Sequence, residues 1–329
     1  MDDLKLALVT GATGALGPIL VHRLLSEGYR VRALVERIPD AGVLPDAVEM
    51  VPGDITDRGA LSQAVAGADV VFHLAAKLHI PDPAPGLKAE YERINVEGTR
   101  RLLEVAGTSQ VQRFVFFSSI CVYGPGRSGP MLDEQSPLDP DTYYAETKAR
   151  AEEIALASGV PVMVLRLAAV YGARVKGNYE RLLRALQRGR YVSIGSGTNR
   201  RTLVHEQDVA AAALVAAGRA LTDKRIYNVT DGGLHDLNEI VQAMCLALGT
   251  ATPWLRVPAP PVRLMAGLVE DACRGLGRKA PIGRSTVDKL LEDVAVSGAR
   301  FISDFGFRPQ MDLRSGWADA VQKMRGGGL

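Results

Sequence analysis

The stretch LKLALVTGATGALG, residues 4–17, decides the fold. Apolar and β-branched residues run to Thr10, and three glycines then follow at intervals of three. Such a strand, loop and helix start can hold phosphate, because glycine allows a tight turn and close backbone approach while a helix N-terminus favours negative charge. A glycine triplet alone is a weak signal, and the flanking strand and helix make this one more specific. The residues predicted to contact a dinucleotide are Gly11, Thr13, Gly14, Ala15, Leu16 and Gly17.

The first half of the chain alternates apolar strands with helical patterns. Strands are predicted at 4–10, 29–35, 48–51, 69–75, 113–119 and 161–167, and helices at 14–27, 91–106 and 141–158. Near-continuous apolar strands between helices indicate a parallel sheet that is covered on both faces. The predicted fold class is α/β, a Rossmann-type doubly wound parallel sheet.

The pattern changes after Gly172, where helices dominate and only short strands intervene. This change predicts a smaller, mostly helical C-terminal lobe. The expected organisation is a dinucleotide-binding domain at 1–172 and a substrate-binding lobe at 173–329, with segments near 200–230 returning to the first domain.

Composition excludes several classes of protein. Hydrophobic residues make up 47% and charged residues 23% of the 329 residues, so a sizeable core can form. The net charge is only +2 without a polybasic block, which argues against binding to nucleic acid or to an anionic membrane.

The three cysteines have no metal-ligand spacing, so no metal site is expected. The longest other apolar run, VAAAALVAAG from Val209, is too short to span a bilayer. A soluble, cytoplasmic protein is expected.

The end of the second strand bears on the choice of cofactor. An acidic side chain there, Glu36, can accept hydrogen bonds from both ribose hydroxyls and repels a 2′-phosphate, which favours NAD. Arg37 can instead meet a 2′-phosphate, so NADP stays open, and a solvated charge pair is a further alternative. Asp54 and Ile55 follow the third strand, where adenine should lie, although an aspartate there can equally be a turn residue or a helix N-cap.

Three residues form a candidate catalytic group. Ser119 ends the fifth strand, and ligands of this topology bind at the carboxyl ends of the strands. Tyr144 and Lys148 are one helical turn apart and share a helix face. A nearby ammonium group is expected to lower the tyrosine pKa and make the phenol usable as an acid or base. The serine can hold the substrate oxygen while hydride moves to or from a nicotinamide.

The motifs TGATGALG, HLAA, INVEGT, SSICVYG, YYAETKA and LRLAAVYG resemble those of the extended short-chain dehydrogenase/reductases, and most closely the NAD-dependent epimerase/dehydratase group acting on nucleotide sugars. The resemblance spans residues 4–250 and implies that Ser119, Tyr144 and Lys148 are catalytic. It also implies that Asn95 supports the neighbouring helix. Further cofactor contacts implied by the resemblance are Leu74, Ala75, Ala76, Asn95, Leu167 and Ala168.

The same resemblance implies substrate contacts in the second lobe. Asn178 and Arg201 match residues near the nucleotide and its diphosphate, and Cys121 lies beside the catalytic serine. Dehydratases of the family carry an acidic pair where this chain has Ile120 and Cys121, so dehydration is not expected. Ala169 replaces an asparagine that contacts substrate phosphate in many epimerases, which weakens the assignment of a particular sugar.

The resemblance implies a nucleotide-sugar epimerase that uses NAD and forms a homodimer. The alternative is an NAD(P)H-dependent reductase or dehydrogenase of a ketosugar nucleotide, or of a steroid- or flavonol-like alcohol. A nucleotide sensor without turnover is disfavoured, because such proteins lose the tyrosine or lysine that this chain keeps.

Overall fold

The computed structural model describes residues 5–78, 80, 86–126, 129–218, 225–276 and 283–326. The strands are β1 (Leu6–Thr10), β2 (Arg30–Val35), β3 (Glu49–Pro52), β4 (Val70–His73), β5 (Arg113–Ser119), β6 (Val162–Leu167), β7 (Ala169–Tyr171), β8 (Ser193–Ile194), β9 (Arg200–Arg201), β10 (Leu203–His205), β11 (Ile226–Val229), β12 (His235–Asp236) and β13 (Arg256–Val257). The α-helices are α1 (Gly17–Ser26), α2 (Arg58–Val65), α3 (Leu87–Tyr91), α4 (Gly98–Thr108), α5 (Tyr143–Ala157), α6 (Asn178–Gln187), α7 (Glu206–Gly218), α8 (Leu237–Leu248), α9 (Ala259–Gly275), α10 (Arg284–Leu291), α11 (Ala299–Phe305) and α12 (Leu313–Arg325).

Seven strands form one parallel sheet in the order β11-β6-β5-β4-β1-β2-β3. Strands β2 and β3 lie on one side of β1, and β4 lies on the other. The strand order therefore reverses between β1 and β4, which is the place where this topology forms its ligand crevice. The predicted α/β doubly wound fold is confirmed, and the glycine loop leaves β1 at this reversal point.

The sheet is buried on both faces, as its apolar strands predicted. Helices α1 and α7 pack on one face, where Leu20, Val21 and Ala213 belong to the core. Helices α2, α4 and α5 cover the other face, with Leu61, Leu102 and other apolar side chains in contact with the strands. Burial of these side chains supplies the main stabilisation of the sheet, at about 25 cal/mol per Å² of apolar surface.

A third cluster lies between α6, α8 and α12 and includes Tyr171, Met244 and Trp317. The indole of Trp317 stacks on Tyr171 with ring centroids 4.6 Å apart. Helix α7 and strand β11 pack with the main sheet, so these two later elements contribute to the same layers as the first six strands. Among the residues that the structure describes, no helix has the length and apolarity needed to cross a membrane.

Candidate active site

The glycine loop fits a phosphate-bearing cofactor. Gly11 has φ +72, and a Cβ there would lie 2.7 Å from the backbone nitrogen of Ala75. A Cβ on Gly17 would lie 2.2 Å from the carbonyl oxygen of Ala12. No side-chain hydrogen bond caps the first turn of α1, and Pro18 near its start has no N–H group that needs a partner. Thr13 and Gly14 are exposed there, while Ala15 and Leu16 are half-buried. This arrangement suits a pyrophosphate.

The end of β2 carries Glu36 and Arg37, both exposed. Neither side chain forms an ion pair within the described residues. Both side chains are open to solvent at the carboxyl end of β2, and the contact of Glu36 or Arg37 with a ribose stays a prediction.

We expect the substitution Glu36→Ser to weaken NAD binding about tenfold, because the acceptor for the ribose hydroxyls is lost. Affinity for NADP relative to NAD should rise, since removal of the carboxylate relieves repulsion of a 2′-phosphate. Calorimetric titration with both cofactors measures this, and Arg37→Ser is the matched control. Unchanged NAD affinity in Glu36→Ser would show that this carboxylate does not meet the ribose.

Asp54 is held in a turn. Its carboxylate accepts hydrogen bonds from the backbone nitrogen of Thr56 at 2.7 Å and from Arg93 Nη1 at 3.0 Å. Asp57, and not Asp54, is the N-cap of α2. The adjacent Ile55 packs against Gly98, where a Cβ would come within 2.9 Å of Ile55 Cγ2. The structure thus explains Asp54 as a turn residue, and an adenine contact remains a prediction.

The segment after β4 lies against the glycine loop. Thr10 accepts a hydrogen bond from Leu74 through its carbonyl oxygen at 3.1 Å and from Ala75 through Oγ1 at 3.3 Å. The buried His73 ring lies between Thr10 Oγ1 at 2.7 Å and Thr99 Oγ1 at 2.8 Å. Burial lowers the pKa of His73 to about 3, with the charge of Lys148 acting in the same direction. A neutral imidazole therefore anchors this wall of the crevice.

The depressed pKa of His73 predicts a stability change with pH. The folded state keeps the ring neutral while the unfolded chain takes up a proton below its usual pKa of 6.5. The contribution of His73 to the free energy of unfolding should therefore be complete above pH 6.5. Below that pH it should decrease by about 1.4 kcal/mol per pH unit. Urea unfolding of the wild type and of His73→Gln between neutral pH and moderate acidity measures the difference in slope. Parallel pH dependences would contradict the assignment.

Ser119 ends β5 and is paired in register with Leu167 at the end of β6. Ser119 Oγ accepts a hydrogen bond from the backbone nitrogen of Cys121 at 3.2 Å. Leu167 and Ala168 are buried at the same edge. Cys121 keeps exposed surface, yet the protein packed around its thiol raises the pKa of that group, while a hydrogen bond to Ser119 opposes this. The predicted serine and nicotinamide-side residues thus meet at one edge of the sheet.

Tyr144 and Lys148 lie on α5, which begins after Thr142. The Thr142 side chain caps the helix by accepting a hydrogen bond from Ala145 N at 3.2 Å. The Tyr144 hydroxyl is hydrogen-bonded to the Ser119 side chain. The structure therefore joins the strand-end serine and the helix tyrosine that the sequence separates by 25 residues.

The expected lowering of the tyrosine pKa is not found. Burial raises the pKa of Tyr144, the charge of Cys121 adds to this, and the hydrogen bond from Ser119 opposes it. Lys148 itself is buried, and burial lowers its pKa to about 7 against the opposing charge of Glu152. Its Nζ lies 4.1 Å from the centroid of the Phe116 ring. The expectation was wrong because desolvation outweighs charge pairing here: the ammonium that should stabilise a phenolate is itself easily deprotonated.

A buried polar network lies behind the catalytic residues, and the motif comparison did not predict it. Glu152 forms an ion pair with Arg166 at 2.6 Å and accepts a short hydrogen bond from Ser118 Oγ. Arg166 also donates to the Tyr123 hydroxyl at 3.0 Å, and that hydroxyl donates to Asn228 Oδ1 at 2.8 Å. Two features of the sequence could have indicated this network. Glu152 lies one helical turn beyond Lys148, and an arginine interrupts the apolar run of β6.

Asn95 lies in a π-helical turn, Glu92–Glu97, between α3 and α4. Its amide accepts a hydrogen bond from Lys77 N at 2.7 Å and donates to Thr147 Oγ1 at 3.0 Å. A π-helical turn in this setting often marks a functional site. Asn95 ties the loop after β4 to α5, as the resemblance implied, and its side-chain amide is engaged with protein groups.

Two candidate substrate residues lie on later elements, Asn178 on α6 and Arg201 on β9. Arg201 Nη2 donates to the carbonyl oxygens of Lys289 at 2.9 Å and Leu290 at 3.1 Å, so the end of α10 holds its guanidinium. Glu292 lies nearby; burial raises the pKa of its carboxyl, and the charge of Arg201 opposes this. Asn178 is exposed as the first residue of α6, and Gly177 is the N-cap, so the Asn178 side chain does not cap the helix. The sequence analysis did not identify the Glu292 carboxyl as a neighbour of Arg201.

Comparison with known proteins defines the class. The model of the NAD dependent epimerase/dehydratase family matches residues 7–230. The chain therefore belongs to this family of extended short-chain dehydrogenase/reductase enzymes, whose cofactor is NAD. Among described residues, no group of three or more His, Cys, Asp or Glu side chains could hold a metal ion.

Three curated relatives show the range of the family. An N-acetyl-alpha-D-glucosaminyl-diphospho-ditrans,octacis-undecaprenol 4-epimerase of Escherichia coli O157:H7 is 27% identical over 86% of this chain and 84% of its own length. A UDP-glucose 4-epimerase of Vibrio cholerae is 29% identical over 97% and 95%. A 3 beta-hydroxysteroid dehydrogenase/Delta 5-->4-isomerase of Mycobacterium tuberculosis, strain H37Rv, is 31% identical over 93% and 87%. The first two relatives act on diphosphate-linked sugars and the third is named for a steroid.

Solved structures agree on the fold. The structure of MoeE5 in complex with UDP-glucuronic acid and NAD matches with a TM-score of 0.76 and 28% identity, covering 98% of this chain and 99% of MoeE5. The crystal structure of gox2253 matches with a TM-score of 0.81 and 24% identity, covering 98% and 99% of the two chains. Both likenesses extend over nearly the whole chain.

Proposed function

We propose that the chain is an NAD-dependent nucleotide-sugar epimerase that works by transient hydride transfer. The observation that carries the proposal is the hydrogen bond between Ser119 and Tyr144 at the carboxyl end of β5, with Lys148 buried one turn further along α5. The sugar-diphosphate relatives support this substrate class. The acidic pair that dehydration needs is absent from positions 120 and 121.

In this mechanism, NAD supplies a reversible hydride acceptor when bound. Ser119 donates a hydrogen bond to the oxygen of the reacting sugar carbon, and Tyr144 takes up the hydroxyl proton during oxidation. The ketosugar then turns in the cleft, and Tyr144 returns the proton to the oxygen as the carbon is reduced on its other face. Lys148 lies one helical turn from Tyr144, and because burial lowers its pKa to about 7, it can exchange a proton near neutral pH and share the acid–base work with the tyrosine.

The second candidate is a reductase or dehydrogenase of a ketosugar nucleotide or of a steroid-like alcohol. The whole-length likeness to the steroid dehydrogenase favours it. The same three residues serve both reactions, but a reductase passes hydride in one direction and must exchange its cofactor. The pattern of cofactor turnover therefore separates the two candidates.

An NMR time course with NAD and UDP-glucose, UDP-galactose and their N-acetyl forms tests the proposal. A new epimer that appears without net NADH would support it and identify the sugar. No change with these sugars, combined with consumption of NADH or NADPH by a ketosugar or hydroxysteroid-derived ketone, would overturn the epimerase and establish the reductase.

The proposal includes a cytoplasmic homodimer built on α4 and α5, as the resemblance implies. A groove of about 410 Å³ between these helices is lined by Leu103, Ile154 and other residues, and it offers a surface for the partner's helices. Light scattering should give twice the chain mass of 35.2 kDa, and a monomer at micromolar concentration would contradict the dimer.

A further inference from the structure

A pocket of about 620 Å³ lies between α6, the C-terminal end of α12 and the segment 173–176 that follows β7. None of the residues placed at the candidate active site lines this pocket. Leu248, at the end of α8, is in its wall, whereas Asn238 near the start of α8 donates to the carbonyl oxygen of Ser196, ahead of β9, at 3.0 Å. Ten residues of helix separate the two, about 15 Å along the axis. The pocket is therefore distinct from the cleft beside Arg201.

The lining of this pocket is strongly basic. Among the described residues, six cationic side chains and a single carboxylate line it, and its volume is that of a site for a small organic molecule. The carboxylate belongs to Glu180. The cationic residues are Arg174, Lys176, Arg184, Arg188, Lys323 and Arg325.

Three of the six cations are engaged by the protein. Arg184 forms an ion pair with Glu180 at 2.6 Å, and Lys323 forms one with Asp319 at 2.9 Å. Arg325 Nη2 donates to the carbonyl oxygen at the end of α8 at 2.8 Å. These contacts neutralise the carboxylates of Glu180 and Asp319 and leave no acidic group of this pair of helices to balance the remaining cations.

The other three cations have no partner of this kind. Within the part of the chain that the structure describes, the side chains of Arg174, Lys176 and Arg188 form neither an ion pair nor a hydrogen bond. Arg174 is half-buried all the same. The nearby carboxylate of Glu206 is occupied by the backbone, since it accepts hydrogen bonds from Ala173 N at 3.0 Å and Arg174 N at 3.3 Å. Three uncompensated cations therefore face one concave space, where an anion would complement them.

The floor of the pocket is apolar. Leu183, Leu248 and Val321 are buried there, and Met324 is 37% exposed. A bare phosphate ion would contact the cations and leave this floor uncovered. An anion with an organic part would cover both, because its apolar surface can leave water against the floor while its charges stay at the rim.

We propose that this pocket binds a small organic anion that carries at least two phosphate groups. Arg174 and Arg188 offer the planar donor fork that suits phosphate oxygens, and Lys176 adds a third positive charge. The organic part rests on the apolar floor. The site is additional to those of the nicotinamide cofactor and the sugar substrate, and binding there can be measured without turnover.

Calorimetric titration with ATP tests the proposal. The full-length protein is loaded with one equivalent of NAD and freed of the excess by gel filtration, so that the cofactor crevice is filled. We expect ATP to bind with a dissociation constant of about 10–100 µM at low ionic strength. AMP, which has the same organic part and one phosphate, should bind at least about tenfold more weakly, because fewer charge-assisted hydrogen bonds form.

A pair of double variants assigns the binding to this pocket. Lys176→Glu with Arg188→Glu should lower the affinity for ATP about thirtyfold or more, since two cations of the rim are reversed. The matched control is Arg30→Glu with Arg308→Glu, which makes the same change in net charge at two exposed arginines outside the pocket. The control should bind ATP within about twofold of the wild type. Circular dichroism and NAD titration establish that each variant is folded.

Methyl NMR locates the ligand without a change of charge. With ¹³C-methyl methionine, the Met324 resonance, identified by Met324→Leu, should shift on addition of ATP because this side chain lies in the pocket floor. The Met265 resonance on α9, from a side chain 67% exposed, should stay in place. Absence of ATP binding, equal affinities of the two double variants, AMP binding as tight as that of ATP, or an unmoved Met324 resonance would each overturn the proposal.

Discussion

Turnover should fall about a thousandfold when Tyr144 is replaced by phenylalanine, because the phenol is the proton donor and acceptor of the proposed reaction. The hydroxyl is hydrogen-bonded to Ser119, so its loss removes the acid–base group and leaves the strand-end serine in place. NAD affinity should stay close to that of the wild type. Initial rates with the substrate found by NMR, together with calorimetric NAD titration, measure the two effects separately.

The neighbouring tyrosine provides a matched control. Tyr143 begins α5 and packs beside Tyr91, with ring centroids 6.3 Å apart. We expect Tyr143→Phe to keep most of the activity. Equal losses in the two variants would show a structural effect on the start of α5, and full activity of Tyr144→Phe would refute the acid–base assignment.

The second large effect is expected in folding. The substitution Glu152→Gln leaves Arg166 buried without its counter-charge, and breaking such a pair costs about 3–5 kcal/mol of unfolding free energy. Both side chains of the pair are almost fully buried, at 4% and 2% exposed for Arg166 and Glu152. Urea unfolding measures the loss as a lower midpoint with an unchanged slope.

Two further variants make this prediction specific. Glu153→Gln changes the adjacent, exposed carboxylate and should shift the unfolding free energy by no more than about 0.5 kcal/mol. Glu152→Gln combined with Arg166→Met should recover much of the loss, since the unpaired charge is gone. If the double variant is no more stable than Glu152→Gln, the uncompensated charge is not the cause.

The same pair connects stability with the active site. The charge of Glu152 raises the pKa of Lys148 against the larger lowering effect of burial. Removal of that charge should lower the lysine pKa further below about 7 and reduce the protonated fraction at neutral pH. A catalytic effect of Glu152→Gln that is larger at neutral than at acidic pH would reveal this coupling.

The sequence by itself determined the layers of the fold and the edge at which the site lies. Glycines at this spacing between an apolar strand and a helix indicate a loop that binds the phosphates of a dinucleotide. Continuous apolar strands indicate a sheet covered on both faces. Gly11, Ser119 and Tyr144 could therefore be assigned to one crevice, because the carboxyl ends of parallel strands meet at one edge.

Only the tertiary structure decided how the charges behave. The pKa direction of Tyr144, the pairing of Glu152 with Arg166 and the approach of Glu292 to Arg201 depend on desolvation and on side chains that are distant along the chain. The turn role of Asp54 depends on Arg93, which lies 39 residues away. Local pattern specifies which residues lie on one face, and three-dimensional packing decides what that face meets.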